Sequence, residues 1–293
     1  MIPVSEPTGR ARAGLVSALA ALLLAGSGAR AGEGIDWYRD LDRALAEARS
    51  TGRPVMVDFW ADWCGWCHRL DATTYVDAEV VRLSRRFVAV KIDTEGGPGD
   101  VAVAIRYNVA VLPTIAFLSP EGHQLFKITA YQGPGKFPET MRKALATAEK
   151  VSAWERALAS GEAEPGALGK LGAHLFHQEF FEESFELLSR ATEVDAGRDP
   201  EERKLTRLML GVILSYRRHY EQAEERLKDG LALRPTGEHD PSLLFILGRT
   251  YLRSGKPEKA ALLMREILEE YPESEVAARA EQSLRYIQRK YRR

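Results

Sequence analysis

Two cysteines, five methionines and a formal net charge of −1 over 293 residues leave several protein classes without support. A single cysteine pair is too few for the disulfide framework of a small secreted scaffold, and a structural zinc site needs four ligands where no second cysteine pair exists. The near-neutral balance gives no electrostatic reason for a nucleic-acid or anionic-membrane partner, and the basic run from Arg285 to Arg293 reads as the solvated face of a last helix. The chain has neither a phosphate-binding loop nor a serine nucleophile elbow. Its apolar run from Leu15 to Ala25 is shorter than the roughly 20 residues a membrane-spanning helix needs.

That short run is instead placed as a secretory signal would be. Arg10 and Arg12 precede it, small residues follow, and Ala29-Arg30-Ala31 fits a cleavage site, so residues 1–31 are expected to be a signal peptide cut near Ala31. No cysteine follows the run, which excludes a lipoprotein anchor. The mature protein is then expected in the periplasm or otherwise exported, where an isolated cysteine pair reads as redox-active rather than structural.

Both cysteines fall in Val55-Met56-Val57-Asp58-Phe59-Trp60-Ala61-Asp62-Trp63-Cys64-Gly65-Trp66-Cys67-His68. The run rich in Val, Phe and Trp reads as a buried strand, and the cysteines follow where a helix would begin. Cys64 therefore lies near a helix N-terminus, where unpaired N–H groups and the helix dipole favour a thiolate. Trp63 and Trp66 flank the sulfurs and are expected to offer an apolar platform to a substrate chain; the competing account, packing, has more weight for Trp63 than for Trp66. The stretch from Cys64 to His68 also satisfies the C-x-x-C-H pattern of covalent c-type haem, against which stands its setting in a strand-then-helix motif.

These residues resemble the thioredoxin superfamily, in which a strand leads into Trp-Cys-x-x-Cys and a helix, with a buried acid six residues before the first cysteine, here Asp58. Val111-Leu112-Pro113-Thr114 looks like the family's cis-proline loop, and Ile115 to Leu118 like the strand after it. Within the superfamily, Ala61-Asp62-Trp63-Cys64, Thr74-Tyr75-Val76-Asp77 with Val80, and Tyr107-Asn108-Val109 through Ile115 are similar to the C-terminal domain of DsbD thiol:disulfide interchange reductases. Gly65 and Trp66 between the cysteines depart from that pattern. The resemblance, over roughly residues 35–149, implies that Cys64 attacks a substrate disulfide and Cys67 resolves the mixed disulfide. It further implies that Asp58 takes the proton from Cys67, that Leu112 and Pro113 line the substrate, and that the only redox group is the Cys64–Cys67 disulfide, with no cofactor or metal. Lys91 matches the lysine beside the buried acid, the alternative being a surface lysine on an edge strand.

Along the mature chain, a helix is expected over Ile35–Ser50, a helix after the cysteines broken near Thr73 and resumed from Asp77 to Arg86, and strands over Phe87–Ile92, 114–119 and 124–129. A helix from Lys136 or Phe137 to Glu149 closes this α/β layer, a mixed sheet flanked by helices over residues 32–150. Residues 151–164 are expected to be a linker.

From Pro165 onward the strand signals vanish and the sequence repeats. Leu244-x2-Leu247-Gly248-x2-Tyr251 with Ala260-x3-Met264 and Pro272 follows the tetratricopeptide pattern; Arg207 to Pro235 is a second copy and Leu168 to Leu188 a weaker third. The spacings of about 39 and 37 residues between Gly172, Gly211 and Gly248 exceed the usual period of about 34, and loops at Arg198-Asp199-Pro200 and Gly237 to Asp240 take up the surplus. Residues 165–293 thus read as an all-α solenoid of three repeats with a capping helix from Glu275 to Lys290. Leu208, Tyr216, Phe245, Arg249 and Arg253 are expected on its inner face, holding a peptide or protein.

The function expected is an exported thiol:disulfide oxidoreductase, reductive in direction, acting on protein thiols and disulfides with an unidentified redox partner. The alternative is an envelope adaptor whose repeats carry the function and whose cysteine pair is sensory or vestigial.

Overall fold

The computed structural model describes residues 34–160 and 165–291. The expected signal segment 1–31 and residues 161–164 of the expected linker lie outside them. In order, the elements are β1 (Trp37–Tyr38), α1 (Leu41–Thr51), β2 (Val55–Trp60), α2 (Gly65–Arg69), a π-helical turn (Leu70–Thr74), α3 (Ala78–Ser84), β3 (Val88–Asp93), α4 (Pro98–Arg106), β4 (Thr114–Leu118), β5 (Gln124–Ile128) and α5 (Phe137–Ala159). Seven helices follow: α6 (Pro165–His177), α7 (Phe181–Glu193), α8 (Pro200–Tyr216), α9 (Tyr220–Ala232), α10 (Asp240–Arg253), α11 (Pro257–Glu270) and α12 (Ala277–Tyr291).

Five strands make one mixed sheet in the order β1-β3-β2-β4-β5, parallel between β1, β3 and β2 and antiparallel from β2 through β4 to β5. β2 is central, and Val55, Met56, Val57, Asp58 and Phe59 are all buried, because helices cover both faces of the sheet. That is why this run reads as continuously apolar rather than alternating, and why a carboxylate inside it stands out.

Two expectations about the α/β part are corrected. The helix expected from Ile35 begins only at Leu41, because the Asp40 side chain caps it by accepting from the Arg43 amide at 2.9 Å. Trp37 and Tyr38 instead add a short strand beside Ala89 and Val90 of β3. Lys91 is consequently not on an edge strand: β3 is flanked by β1 and β2, and Lys91 is buried.

The expected linker over residues 151–164 is the larger correction. α5 runs unbroken for 23 residues to Ala159, burying Val151 and Glu155 beyond the point where the helix was expected to stop. Trp154 and Leu158 on this extension pack with Leu171, Leu175 and Phe180 against the same apolar core as the sheet. Phe180, just before α7, meets the Tyr107 ring at 6.0 Å, and Tyr107 meets Phe59 of β2 at 6.3 Å. The first helical hairpin therefore shares its core with the α/β layer.

In the helical part α6 with α7, α8 with α9 and α10 with α11 pack as neighbours, and α12 covers the last hairpin. The repeating glycines have a common cause. A Cβ on Gly172 would lie 2.8 Å from the Leu188 side chain, on Gly211 2.4 Å from Leu227, and on Gly248 2.3 Å from Met264. Each hairpin brings its two helices together at the same step; at Gly172 and Gly211 the close atoms include the Cγ of a buried leucine, while at Gly248 the close atom is the terminal methyl of Met264. Among the described residues no helix is long and apolar enough to cross a membrane.

Candidate active site

Cys64 and Cys67 are joined as a disulfide at the start of α2. Cys64 is the helix N-cap, with extended backbone, and its sulfur accepts from the Cys67 amide at 3.2 Å. An amide and a helix N-terminus aimed at one sulfur stabilise negative charge on it more than on Cys67, which lies inside the helix and is fully buried.

Two large apolar rings are exposed beside the sulfurs. Trp63 is 68% exposed and Trp66 55%, so packing is the account of neither, and the preference for it at Trp63 is corrected. Instead each ring is held from one edge. The Trp63 indole donates to Glu95 at 2.9 Å. Trp66 lies 5.5 Å from the Tyr131 ring, with the Arg69 guanidinium 5.4 Å from the one and 5.3 Å from the other. Thr73 and the Tyr131 hydroxyl share a hydrogen bond of 3.0 Å, so the stack is tied to the π-helical turn. Half-buried Leu112 and exposed Val111 lead into Pro113, which is buried and follows a cis peptide bond. His68, the residue that raised the haem pattern, contacts the Asp62 carbonyl through Nε2 at 2.7 Å.

Beneath this surface lies a charged group enclosed by aromatic rings. Asp58 in β2 and Lys91 in β3 are register partners, and Lys91 Nζ is 3.1 Å from Asp58 Oδ2, an ion pair not aligned as a hydrogen bond. The ammonium donates to Asp71 at 2.6 Å, and the rings of Trp37, Trp60 and Tyr75 stand 5.5, 5.3 and 5.6 Å from it. Such faces stabilise a cation that burial would otherwise destabilise. Burial outweighs the attraction of Lys91 at Asp58 and, with the Asp71 charge adding to it, pushes the carboxyl from 3.8 up to about 6. Burial, then the Asp58 charge, pushes the Tyr75 phenol well above its ordinary range. A carboxyl poised near neutrality is what proton transfer needs.

Asp71, Tyr75, Trp37 and Trp60 were not named as site residues from the sequence, although Tyr75 and Trp60 lie in motifs quoted there. Asp71 lies four residues after Cys67, a spacing that shares a helix face, but its meeting with Lys91 depends on the β3 register, which sequence spacing does not reveal. Elsewhere, Glu201, Glu238 and His239 bring possible metal-ligand atoms within 4.8 Å of one another. The buried Lys204 ammonium, 3.0 Å from Glu201 and 2.7 Å from Asp240, already supplies positive charge there. Of the residues expected on the inner face of the array, Leu208 and Phe245 line one cavity, Arg249 lies 5.9 Å from the Phe245 ring, and Arg253 lies 4.4 Å from that of exposed Tyr216.

Comparison with known proteins agrees with this division. A thioredoxin-like family model matches residues 36–120 and a tetratricopeptide-repeat model matches residues 208–275. The chain carries a thioredoxin-like domain and tetratricopeptide repeats. Its thioredoxin-like part is 33% identical over 112 residues to the thiol:disulfide interchange protein DsbD of Ralstonia nicotianae, covering 38% of this chain and 18% of that protein. The Cronobacter sakazakii DsbD is 42% identical over 87 residues, covering 29% of this chain and 15% of its own. The chain thus spans less than a fifth of the length of these relatives. Among solved structures, a thioredoxin from Thermus thermophilus is 26% identical with a TM-score of 0.37, covering 44% of this chain and 96% of that one.

Proposed function

We propose that the protein is an exported thiol:disulfide oxidoreductase that reduces disulfides in partner proteins. The observation that carries the reading is the cysteine pair itself: Cys64 caps α2 with its sulfur on an amide, and β2 leading into it holds a buried acid raised toward neutrality. In the reduced enzyme the Cys64 thiolate attacks a substrate disulfide, forming a mixed disulfide and expelling one substrate thiolate. Cys67 then gives up its proton, for which Asp58 is the base, and attacks the Cys64 sulfur. The Cys64–Cys67 disulfide re-forms, the second substrate thiolate leaves, and two electrons have passed to the substrate. A dithiol donor resets the pair. Trp63, Trp66 and Leu112 give the substrate chain an apolar seat beside Cys64, and Pro113 borders it.

The reductive direction draws on likeness to the DsbD proteins, whose names describe disulfide interchange. Export to the periplasm draws on Arg10, Arg12, the apolar run and Ala29-Arg30-Ala31. The repeat array acts as the docking surface for a partner protein. No redox group beyond the disulfide is invoked. The test is the reduction potential of the pair, equilibrated against defined thiol buffers. A value near about −270 mV supports a reductase, whereas one near about −120 mV would make the protein an oxidant and overturn the direction.

A further inference from the structure

The first helices of the three hairpins and the closing helix bound one cavity of about 220 Å³. Its walls include Leu205, Leu208 and Val212 of α8, Phe245 and Ile246 of α10, and Arg279 of α12, and no Asp or Glu lines it. The Phe245 ring carries two guanidiniums, Arg279 at 5.0 Å and Arg249 at 5.9 Å. Some arginines of the array meet acids, as Arg203 and Arg207 do at Asp195 and Arg217 does at Glu182, and others do not. Among the described residues neither Arg249 nor Arg279 has such a partner. An apolar cavity thus stands beside two uncompensated cations from different helices, both resting against one aromatic ring.

We propose that this cavity seats one large aliphatic or aromatic side chain of an internal segment of the partner protein, and that Arg249 and Arg279 bind acidic side chains flanking it. The inference rests on the reading that the array docks a partner. Size and charge both select this occupant. A dry apolar cavity of about 150 Å³ accepts a benzene ring, so this one accommodates a phenylalanine or leucine side chain. Two separated guanidiniums match two carboxylates, where a chain terminus offers one. A basic or wholly polar segment would leave the arginines repelled or the apolar walls wet.

Fluorescence anisotropy on the full chain tests it with labelled dodecapeptides in one Gly-Ser frame. The first carries Phe flanked by two Asp, the second Phe flanked by two Lys, the third Ser flanked by two Asp, and the fourth ends in Phe with a free carboxylate and no Asp. The first should bind at least about tenfold more tightly than each of the others. Arg279→Glu and Arg249→Glu should each remove about tenfold of that affinity, and Arg279→Gln, a milder change at the surface, should remove a smaller part. Equal binding of the lysine-flanked or serine peptide, tightest binding of the terminal-Phe peptide, or indifference to Arg279→Gln and Arg279→Glu in a chain with unchanged circular dichroism would each overturn the proposal. A disulfide attached to the first peptide separates this from the docking reading. Tight binding without faster reduction than the lysine-flanked analogue removes docking as the purpose and leaves the groove chemistry standing. Faster reduction that ignores the anchor and its acids does the reverse.

Discussion

Lys91 Nζ lies 3.1 Å from Asp58 Oδ2 across adjacent strands, both residues buried, with a second carboxylate, Asp71, on the other side of the ammonium. One cation therefore serves two acids, of which only Asp71 reaches solvent. The arrangement keeps Asp58 inside the protein without fully offsetting its burial, and the carboxyl stays raised to about 6.

That shift has a stability consequence with a defined sign. Because the folded carboxyl binds its proton more tightly than the unfolded one, the protonated form favours folding below about pH 4. This contribution is lost as pH rises from 3.8 through about 6, and above that the charged form burdens the fold by up to about 3 kcal/mol. Asp58→Asn should raise the melting temperature clearly at pH 8 and little at pH 4, while slowing disulfide exchange. Equal gains at both pH values would show that the carboxyl is not raised.

Lys91 and Asp71 should move the Asp58 titration in opposite directions. Lys91→Met removes the charge that lowers the Asp58 pKa, and Asp71→Asn removes one that raises it. Followed by carboxyl NMR shifts, the midpoint should rise above about 6 in the first variant and fall below it in the second. Movement in the same direction would mean that structural rearrangement, not charge, sets the value.

The two sulfurs should differ in role. Cys67→Ser should accumulate a mixed disulfide with substrate through Cys64, detectable by mass spectrometry, and Cys64→Ser should not. Faster alkylation of Cys67 than of Cys64 in the reduced protein at mildly acidic pH would reverse the assignment.

Phe180 should couple the two parts of the protein. Its ring meets Tyr107, its neighbours Leu171 and Leu175 are buried in the core of the sheet, and Phe180→Ala should cost about 3–5 kcal/mol. Loss of near-ultraviolet signal from the α/β layer and of helical signal from α6 and α7 should then occur together. Unfolding of the helices with the sheet intact would show that the shared core does not bind them into one unit.

Close approach in the second repeat is open to a simple check. At Gly211 a Cβ would lie 2.4 to 3.0 Å from three atoms of Leu227, including Cγ, and that side chain is fully buried. Gly211→Ala should destabilise by about 1–3 kcal/mol despite alanine's better helix propensity, which is worth about 1 kcal/mol. Gly211→Ala with Leu227→Ala should recover part of the loss.

Much of this was legible in the residue order. The Val-Phe-Trp run, the cysteine spacing and the Leu112-Pro113-Thr114 loop carry local information that does not depend on distant contacts, and the α/β part follows from them. The glycine and alanine register of the repeats is equally local, since helix–helix contact at one fixed step demands a small residue each time. The sequence alone therefore determined the cysteine-pair turn, its strand-to-helix setting and the helical array. Three things were decided only by tertiary structure. The α5 extension reads as a boundary because its buried face touches residues that lie beyond the next turn. The exposure of Trp63 and Trp66 was not fixed by residue type, since a large apolar ring suits a buried or an exposed place; their edge contacts with Glu95, Arg69 and Tyr131 are tertiary. The Asp58–Lys91–Asp71 group depends on strand register and on three rings contributed from separate elements. Charge placement at a buried site is set by what surrounds it in space, and spacing along the chain does not carry that information.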